Sequence, residues 1–112
     1  MKTAITGQDK DLASSVACHF GRCCFFHIYN DETDSIEILE NNEKGKRECA
    51  SEYALKFLIE RDVKHIVSAN FGTRVQKEMV NHDIKMTLLT DCRKTIEDII
   101  HIMKKKQITS EL

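Results

Sequence analysis

The chain of 112 residues contains no proline and no tryptophan, and only four glycines. Without a proline-rich or glycine-rich stretch it shows no flexible linker, so we expect one domain over residues 1–112. No segment approaches the roughly 18 apolar residues that span a bilayer, and residues 1–6 lack the apolar core of a signal peptide. These absences predict a cytoplasmic protein that does not enter a membrane.

Strong charge of one sign is also missing. The chain has 17 basic and 18 acidic residues, a formal net charge of -1, and only 6% aromatic residues. Proteins that bind nucleic acid usually present a basic surface, often with aromatic side chains on which bases stack. We therefore expect no nucleic-acid partner.

The five cysteines are an odd number for a disulfide framework, and clustered thiols in a reducing compartment indicate metal binding or redox chemistry. Three of them lie between Cys18 and Cys24, together with His19 and Arg22. Thiolate and imidazole are common ligands of iron–sulfur, zinc and copper centres, and an arginine balances the charge of an anionic cluster. CxxC pairs and the further cysteines of a ferredoxin are absent, so spacing alone does not identify the metal.

The apolar periodicity predicts five strands and three helices, an α/β fold class. Strands are expected over 3–6, 24–29, 35–40, 65–69 and 84–89. A first helix is expected from about 47 to 61, with its apolar face at 50, 53, 54, 57 and 58. A second helix is expected to begin at 70–73, with its inward residues at 75, 79 and 80. Thr95 and Asp98 resemble a capping box before a third helix, whose inward residues are 96, 99, 100 and 103.

This order of elements predicts a mixed five-stranded sheet in which strand two runs antiparallel to the other four. The ends of strands one, three, four and five then share one edge with the start of strand two. Gly72, at the start of helix two, joins that edge, where backbone N–H groups can face an anion. All the cysteines come from segments at the same edge, which predicts a ligand site there: Cys18, Cys23, Cys24, Cys49 and Cys92.

Each candidate ligand also has a structural interpretation. A cysteine is either a thiolate ligand or a small buried apolar residue. As ligands we rank Cys23 and Cys18 above Cys24, because Cys24 begins an apolar strand. His19 either binds the metal or donates a hydrogen bond that holds its turn, and Arg22 either faces the cluster or forms a salt bridge. The other histidines, His27 among them, are expected at the surface.

Several segments together resemble the dinitrogenase iron-molybdenum cofactor biosynthesis family, in its small NifX-like members. The most specific element is His19-Phe20-Gly21-Arg22, followed by aromatic residues at Phe25 and Phe26. The others, each weak alone, are Lys2-Thr3-Ala4-Ile5, Glu40-Asn41-Asn42, Ala54-Leu55-Lys56-Phe57-Leu58, Ile66-Val67-Ser68-Ala69-Asn70-Phe71-Gly72, Ile84 and Thr95-Ile96-Glu97-Asp98.

The resemblance implies a ribonuclease H-like fold and a non-enzymatic role related to nitrogen fixation. Members bind, carry or help assemble a metal–sulfur cofactor, which implies an iron–sulfur or molybdenum-containing cluster, cofactor-donating and cofactor-accepting partner proteins, and a monomer or weak homodimer. The residues that carry over are His19, Phe20, Gly21 and Arg22 as the cofactor loop, with Gly72 at the facing helix start.

Two other functions use the same residues differently. Cys18, His19, Cys23 and Cys49 are together suited to a tetrahedral zinc site, and adjacent Cys23 and Cys24 are suited to thiol redox chemistry. A metal-free adaptor, with incidental thiols, is the third hypothesis. A nuclease is excluded because two-metal hydrolysis needs several carboxylates at the sheet centre, and the apolar strands supply none.

Overall fold

The computed structural model describes residues 1–17, 20, 23–42, 50–89 and 93–109, without the side chains of 50 and 105–109. The described chain contains five strands and three helices, as predicted. They are β1 (Lys2–Gly7), β2 (Phe25–Asn30), β3 (Ser35–Glu40), α1 (Ala50–Glu60), β4 (Val63–Ser68), α2 (Thr73–Asn81), β5 (Lys85–Leu88) and α3 (Ile96–Thr109).

The strands form one mixed sheet in the order β3-β2-β1-β4-β5. β2 pairs antiparallel with β1 and β3, while β4 pairs parallel with β1 and β5 parallel with β4. The prediction of a single reversed strand is therefore confirmed. The carboxyl ends of β1, β3, β4 and β5 lie at the same sheet edge as the start of β2, and we call this edge the rim.

Side chains alternate across the sheet and form two cores. Ala4 and Phe26 pack on one face with residues of α1 and α2, while Ile5 and Tyr29 pack on the other with Ile96 and its neighbours on α3. Full burial of a large apolar side chain stabilises a protein by about 1.5–3 kcal/mol, so both faces contribute to folding. The inward face predicted for α3 is confirmed.

Two expected core residues are exposed instead. Tyr53 on α1 is 47% exposed and Val80 on α2 is 78% exposed. Successive helix residues are about 100° apart, and α1 faces the sheet through Ala54, Leu55 and Leu58, which turns Tyr53 away. None of the described helices is both long enough and apolar enough to cross a membrane.

His27 corrects the expectation of a surface histidine, since it is fully buried. It lies on β2 between β1 and β3, opposite Ile5 and Ile38. A polar residue in an alternating strand reads as exterior, but this strand is covered on both faces. One ring nitrogen, Nε2, lies 2.8 Å from the carbonyl oxygen of Asp9, and burial lowers the pKa of the imidazole.

Candidate functional site

Backbone hydrogen bonds extend the strand ladder at the rim. The Cys24 N–H donates to the Gly7 carbonyl at 3.2 Å, and the Asn41 N–H donates to the Cys24 carbonyl at 2.9 Å. On the other side of β1, the Ala17 N–H donates to the Thr6 carbonyl at 2.8 Å. The segments just beyond the strands are thus held in register with the sheet.

Phe20, inside the His19–Arg22 motif, is a core residue. It is 1% exposed, and its ring centroid lies 5.6 Å from that of Phe71 and 6.0 Å from that of Phe26. Its backbone N–H donates to the Asn70 carbonyl at 3.3 Å. The motif is therefore attached, through Phe20, to the segment that leads into α2.

The two adjacent cysteines lie in different environments. Cys23 is 1% exposed and packs in the core, whereas Cys24 is partly exposed. Burial raises the pKa of the Cys23 thiol to about 12, although a hydrogen bond from Asn41 acts in the opposite direction. The Cys23 thiol is therefore protonated at neutral pH, and Cys24 is the more accessible of these two thiols.

The start of α2 offers backbone donors at the rim. Gly72 is the N-cap residue and has an extended backbone; as a glycine it has no side chain with which to cap the helix. The first turn of α2 also contains no acidic residue. A Cβ added at Gly72 would meet nothing within 4 Å among the described residues. The first N–H groups of a helix carry a partial positive charge, so this open position suits an anion.

The start of α3, also at the rim, is closed by the protein itself. The Thr95 hydroxyl accepts from the Asp98 N–H and the Asp98 carboxylate accepts from the Thr95 N–H, both at 3.1 Å. The next two N–H groups, of Ile96 and Glu97, donate to the carbonyls of Ser14 and Leu12 at 3.0 and 2.9 Å. The predicted capping box is confirmed, and this helix start has no free donor for a ligand.

An ion pair joins the first turns of α1 and α2, with 3.7 Å between Arg74 Nη1 and Glu52 Oε1. Both side chains border an open groove of about 740 Å³ between the two helices, where Leu55 and Ile59 supply apolar surface. No cysteine from the described residues lines the groove, so its chemistry differs from that of the rim. Arg74 is exposed, which leaves its guanidinium accessible beside the start of α2.

The comparison with family models decides the relationship. The model described as dinitrogenase iron-molybdenum cofactor matches residues 1–106. The chain belongs to this family. The resemblance seen in the motifs is confirmed, while no protein with a curated description matches the chain.

Solved structures share the fold. The apo form of the orange protein from Desulfovibrio gigas has a TM-score of 0.83 at 18% identity, covering 95% of this chain and 88% of that chain. A Thermotoga protein whose description relates it to NifB and to the DUF35 family has a TM-score of 0.78 at 22% identity, covering 93% and 87%. At such identities the likeness establishes the fold alone.

Four of the predicted site residues lie within the described chain. Cys23, Cys24 and Gly72 are at the rim as expected, and Phe20 packs beneath it. The described residues contain no group of three or more His, Cys, Asp or Glu side chains arranged to hold a metal ion. The other predicted ligands and motif residues lie outside the described residues: Cys18, His19, Gly21, Arg22, Cys49 and Cys92.

Sequence reasoning gave Asn41 no role at the site. It is 3% exposed, and its side-chain Nδ2 donates to the Cys23 carbonyl at 2.9 Å. An asparagine after a strand usually indicates a solvated turn. Only the tertiary pairing of β3 with β2 brings its amide to Cys23, so no local pattern identifies it.

Proposed function

We propose that the protein binds and carries, or helps assemble, an iron–sulfur or molybdenum-containing metal–sulfur cluster, and that it is not an enzyme. The observation that carries the proposal is the open start of α2 at Gly72, on the same rim as the accessible thiol of Cys24. Metal–sulfur clusters are anionic and take thiolate ligands. The rim supplies backbone donors, space and a thiol for such a cargo.

The two described thiols suit different tasks. A metal ligand must lose its proton and reach the metal, and burial opposes both for Cys23. Cys24 is partly exposed and held by two backbone hydrogen bonds. We therefore propose Cys24 rather than Cys23 as the metal ligand, whereas the sequence pattern had favoured Cys23.

Family membership supports the remaining assignments. We propose His19 as a further ligand and Gly21 and Arg22 as parts of the cofactor loop, because Phe20 joins that motif to Asn70, two residues before Gly72. Cys18, Cys49 and Cys92 stay proposed ligands from segments that border the rim in sequence. The ribonuclease H-like classification, a cytoplasmic location, a monomer or weak homodimer, and donor and acceptor proteins for the cluster belong to the same proposal.

Anaerobic reconstitution tests the proposal directly. The purified chain is incubated with iron and sulfide, with and without molybdate, then desalted and analysed for iron, molybdenum and acid-labile sulfide. We expect stoichiometric uptake by the wild type and loss of most bound metal in His19→Ala and Cys24→Ser. His82→Ala, at the exposed end of α2, and Cys23→Ser are the matched controls and should retain the cluster.

The alternatives predict different results in the same assay. A zinc module would be colourless and would contain stoichiometric zinc, while an adaptor would bind no metal. If the wild type takes up no cluster, the proposed function is wrong. If uptake is normal but His19→Ala and Cys24→Ser both leave it unchanged, the function stands and the ligand assignment is wrong.

A further inference from the structure

Asn41 contacts both of the adjacent cysteines. Its side-chain Nδ2 donates to the Cys23 carbonyl at 2.9 Å and lies 3.9 Å from the Cys23 Sγ, and its backbone N–H donates to the Cys24 carbonyl at 2.9 Å. The residue is 3% exposed, whereas the next residue, Asn42, is exposed. One buried amide thus connects the end of β3 with the cysteine pair that precedes β2.

The two adjacent thiols differ in burial: Cys23 packs in the core, whereas Cys24, at a bend just before β2, is partly exposed. The hydrogen bond from the Cys24 N–H to the Gly7 carbonyl continues the β1–β2 pairing beyond its last residue pair, Gly7 with Phe25. Beyond it, the Asn41 side chain supplies a donor to the buried Cys23 carbonyl.

A buried carbonyl without a donor is costly, and the chain relieves that cost by turning the carbonyl toward water. At Cys23 such a turn would withdraw the residue from the core and expose its thiol. The amide of Asn41 removes the reason for this rearrangement. Its second contact, with the Cys23 sulfur, favours the same inward placement.

We propose that Asn41 is a positioning residue that determines which of the two adjacent thiols the rim presents, by holding Cys23 in the core and leaving Cys24 partly exposed. The inference concerns the site of the proposed function and rests on it for its biological meaning. It predicts a property of the metal-free protein, however, and is tested without a cluster.

The test is anaerobic labelling of the native, metal-free chain with iodoacetamide, with tandem mass spectrometry to distinguish the two adjacent sulfurs. In the wild type we expect Cys24 to be labelled at least tenfold faster than Cys23. Asn41→Ala, and Asn41→Asp, which keeps the shape but lacks the N–H donors, should bring the two rates to within about threefold of each other, because the donor is lost. Asn42→Ala, the exposed neighbour, should leave the wild-type ratio unchanged.

A second control separates positioning from general unfolding. Val63, which is 1% exposed at the opposite end of the sheet, is replaced by Ala. The labelling rate of Cys23 in this variant is then compared with the rate in the Asn41 variants, at urea concentrations that give all of them the same free energy of unfolding. Equal Cys23 labelling in Val63→Ala would overturn the inference, as would persistent protection of Cys23 in both Asn41 variants. The wild-type ratio is itself decisive, because equal labelling of the two thiols there contradicts the inference whether or not the variants fold. The protein can fail to take up a cluster although the labelling ratio is as expected, and it can take up a cluster although the ratio is not. Failure of the proposed function and failure of this inference are therefore distinguishable.

Discussion

Gly7 and Gly72 both lie at the rim, and the structure predicts that replacement by alanine destabilises the protein at Gly7 but not at Gly72. A Cβ at Gly7 would lie 2.6 Å from Nε2 and 2.7 Å from Cδ2 of His27, whereas at Gly72 it would meet no described atom within 4 Å. His27 is fully buried and its Nε2 lies 2.8 Å from the Asp9 carbonyl oxygen. The ring therefore cannot move into solvent to make room.

The change in the free energy of unfolding for Gly7→Ala has three contributions. Overpacking a core costs about 1–3 kcal/mol, and disturbing the hydrogen bond between His27 and Asp9 costs about 1 kcal/mol. Gly7 does not have a positive φ, so alanine also gains about 0.4–1 kcal/mol by restricting the unfolded chain. The net loss is about 2 kcal/mol, which lowers Tm by roughly 10 °C in a domain of this size.

For Gly72→Ala the same unfolded-state gain is offset by the weaker N-cap that alanine provides, so stability should stay close to wild type. Urea unfolding followed by circular dichroism measures both variants, together with His27→Ala and the double variant Gly7→Ala/His27→Ala. Removing the ring should relieve the clash, with a coupling of about 1 kcal/mol or more. If Gly7→Ala is as stable as the wild type, or if the two single losses simply add, the His27 ring does not resist a Cβ at Gly7.

Further predictions follow from the rim and the core. Burial lowers the pKa of His27, so the imidazole binds a proton more readily in the unfolded chain than in the folded one. The free energy of unfolding should therefore fall as pH drops below about 6.5, by at most about 1.4 kcal/mol per pH unit. His27→Gln should flatten that slope in urea titrations between about pH 7.5 and 5.5. Thr95→Ala removes the hydroxyl that accepts from the Asp98 N–H and should cost about 1 kcal/mol in the free energy of unfolding; an unchanged urea midpoint would contradict the capping role. Phe20→Leu should lower stability by about 1 kcal/mol or more, because the ring is in the core, and a wild-type unfolding midpoint in urea would contradict that placement. Gly72→Ala should lower the metal content of the reconstituted chain by occupying the open space while leaving stability intact, and normal uptake would place the cluster elsewhere.

Elements with strong periodicity were predictable from the sequence. β3 has the expected bounds, Ser35–Glu40, and the order of elements was sufficient to predict the single antiparallel strand and hence the rim. The errors at Tyr53 and Val80 have one physical cause. Hydrophobicity marks the residues that can be buried, but the rotation of a short helix depends on the surface against which it packs, which the local sequence does not contain.

The candidate site was predictable to a smaller extent. Placing Cys23, Cys24 and Gly72 on one edge needed only strand directions, whereas distinguishing the buried thiol from the accessible one needed the tertiary contacts of the rim. Asn41 and His27 were missed for the same reason. Both are polar residues in positions that read as exterior, and both are buried with backbone carbonyls as hydrogen-bond partners.

The starts of α2 and α3, both at the rim, differ in whether their backbone N–H groups already have partners within the protein. α3 begins with four N–H groups that already have partners within the protein, from Thr95 to Asp98, so an anion there would have to displace existing bonds. α2 begins with a glycine, without a described side-chain cap and without an acidic residue in its first turn. An anion at α2 therefore gains hydrogen bonds that would otherwise go to water. We therefore expect a cluster to replace water at α2, beside a thiol on the same edge, without any rearrangement of the described fold.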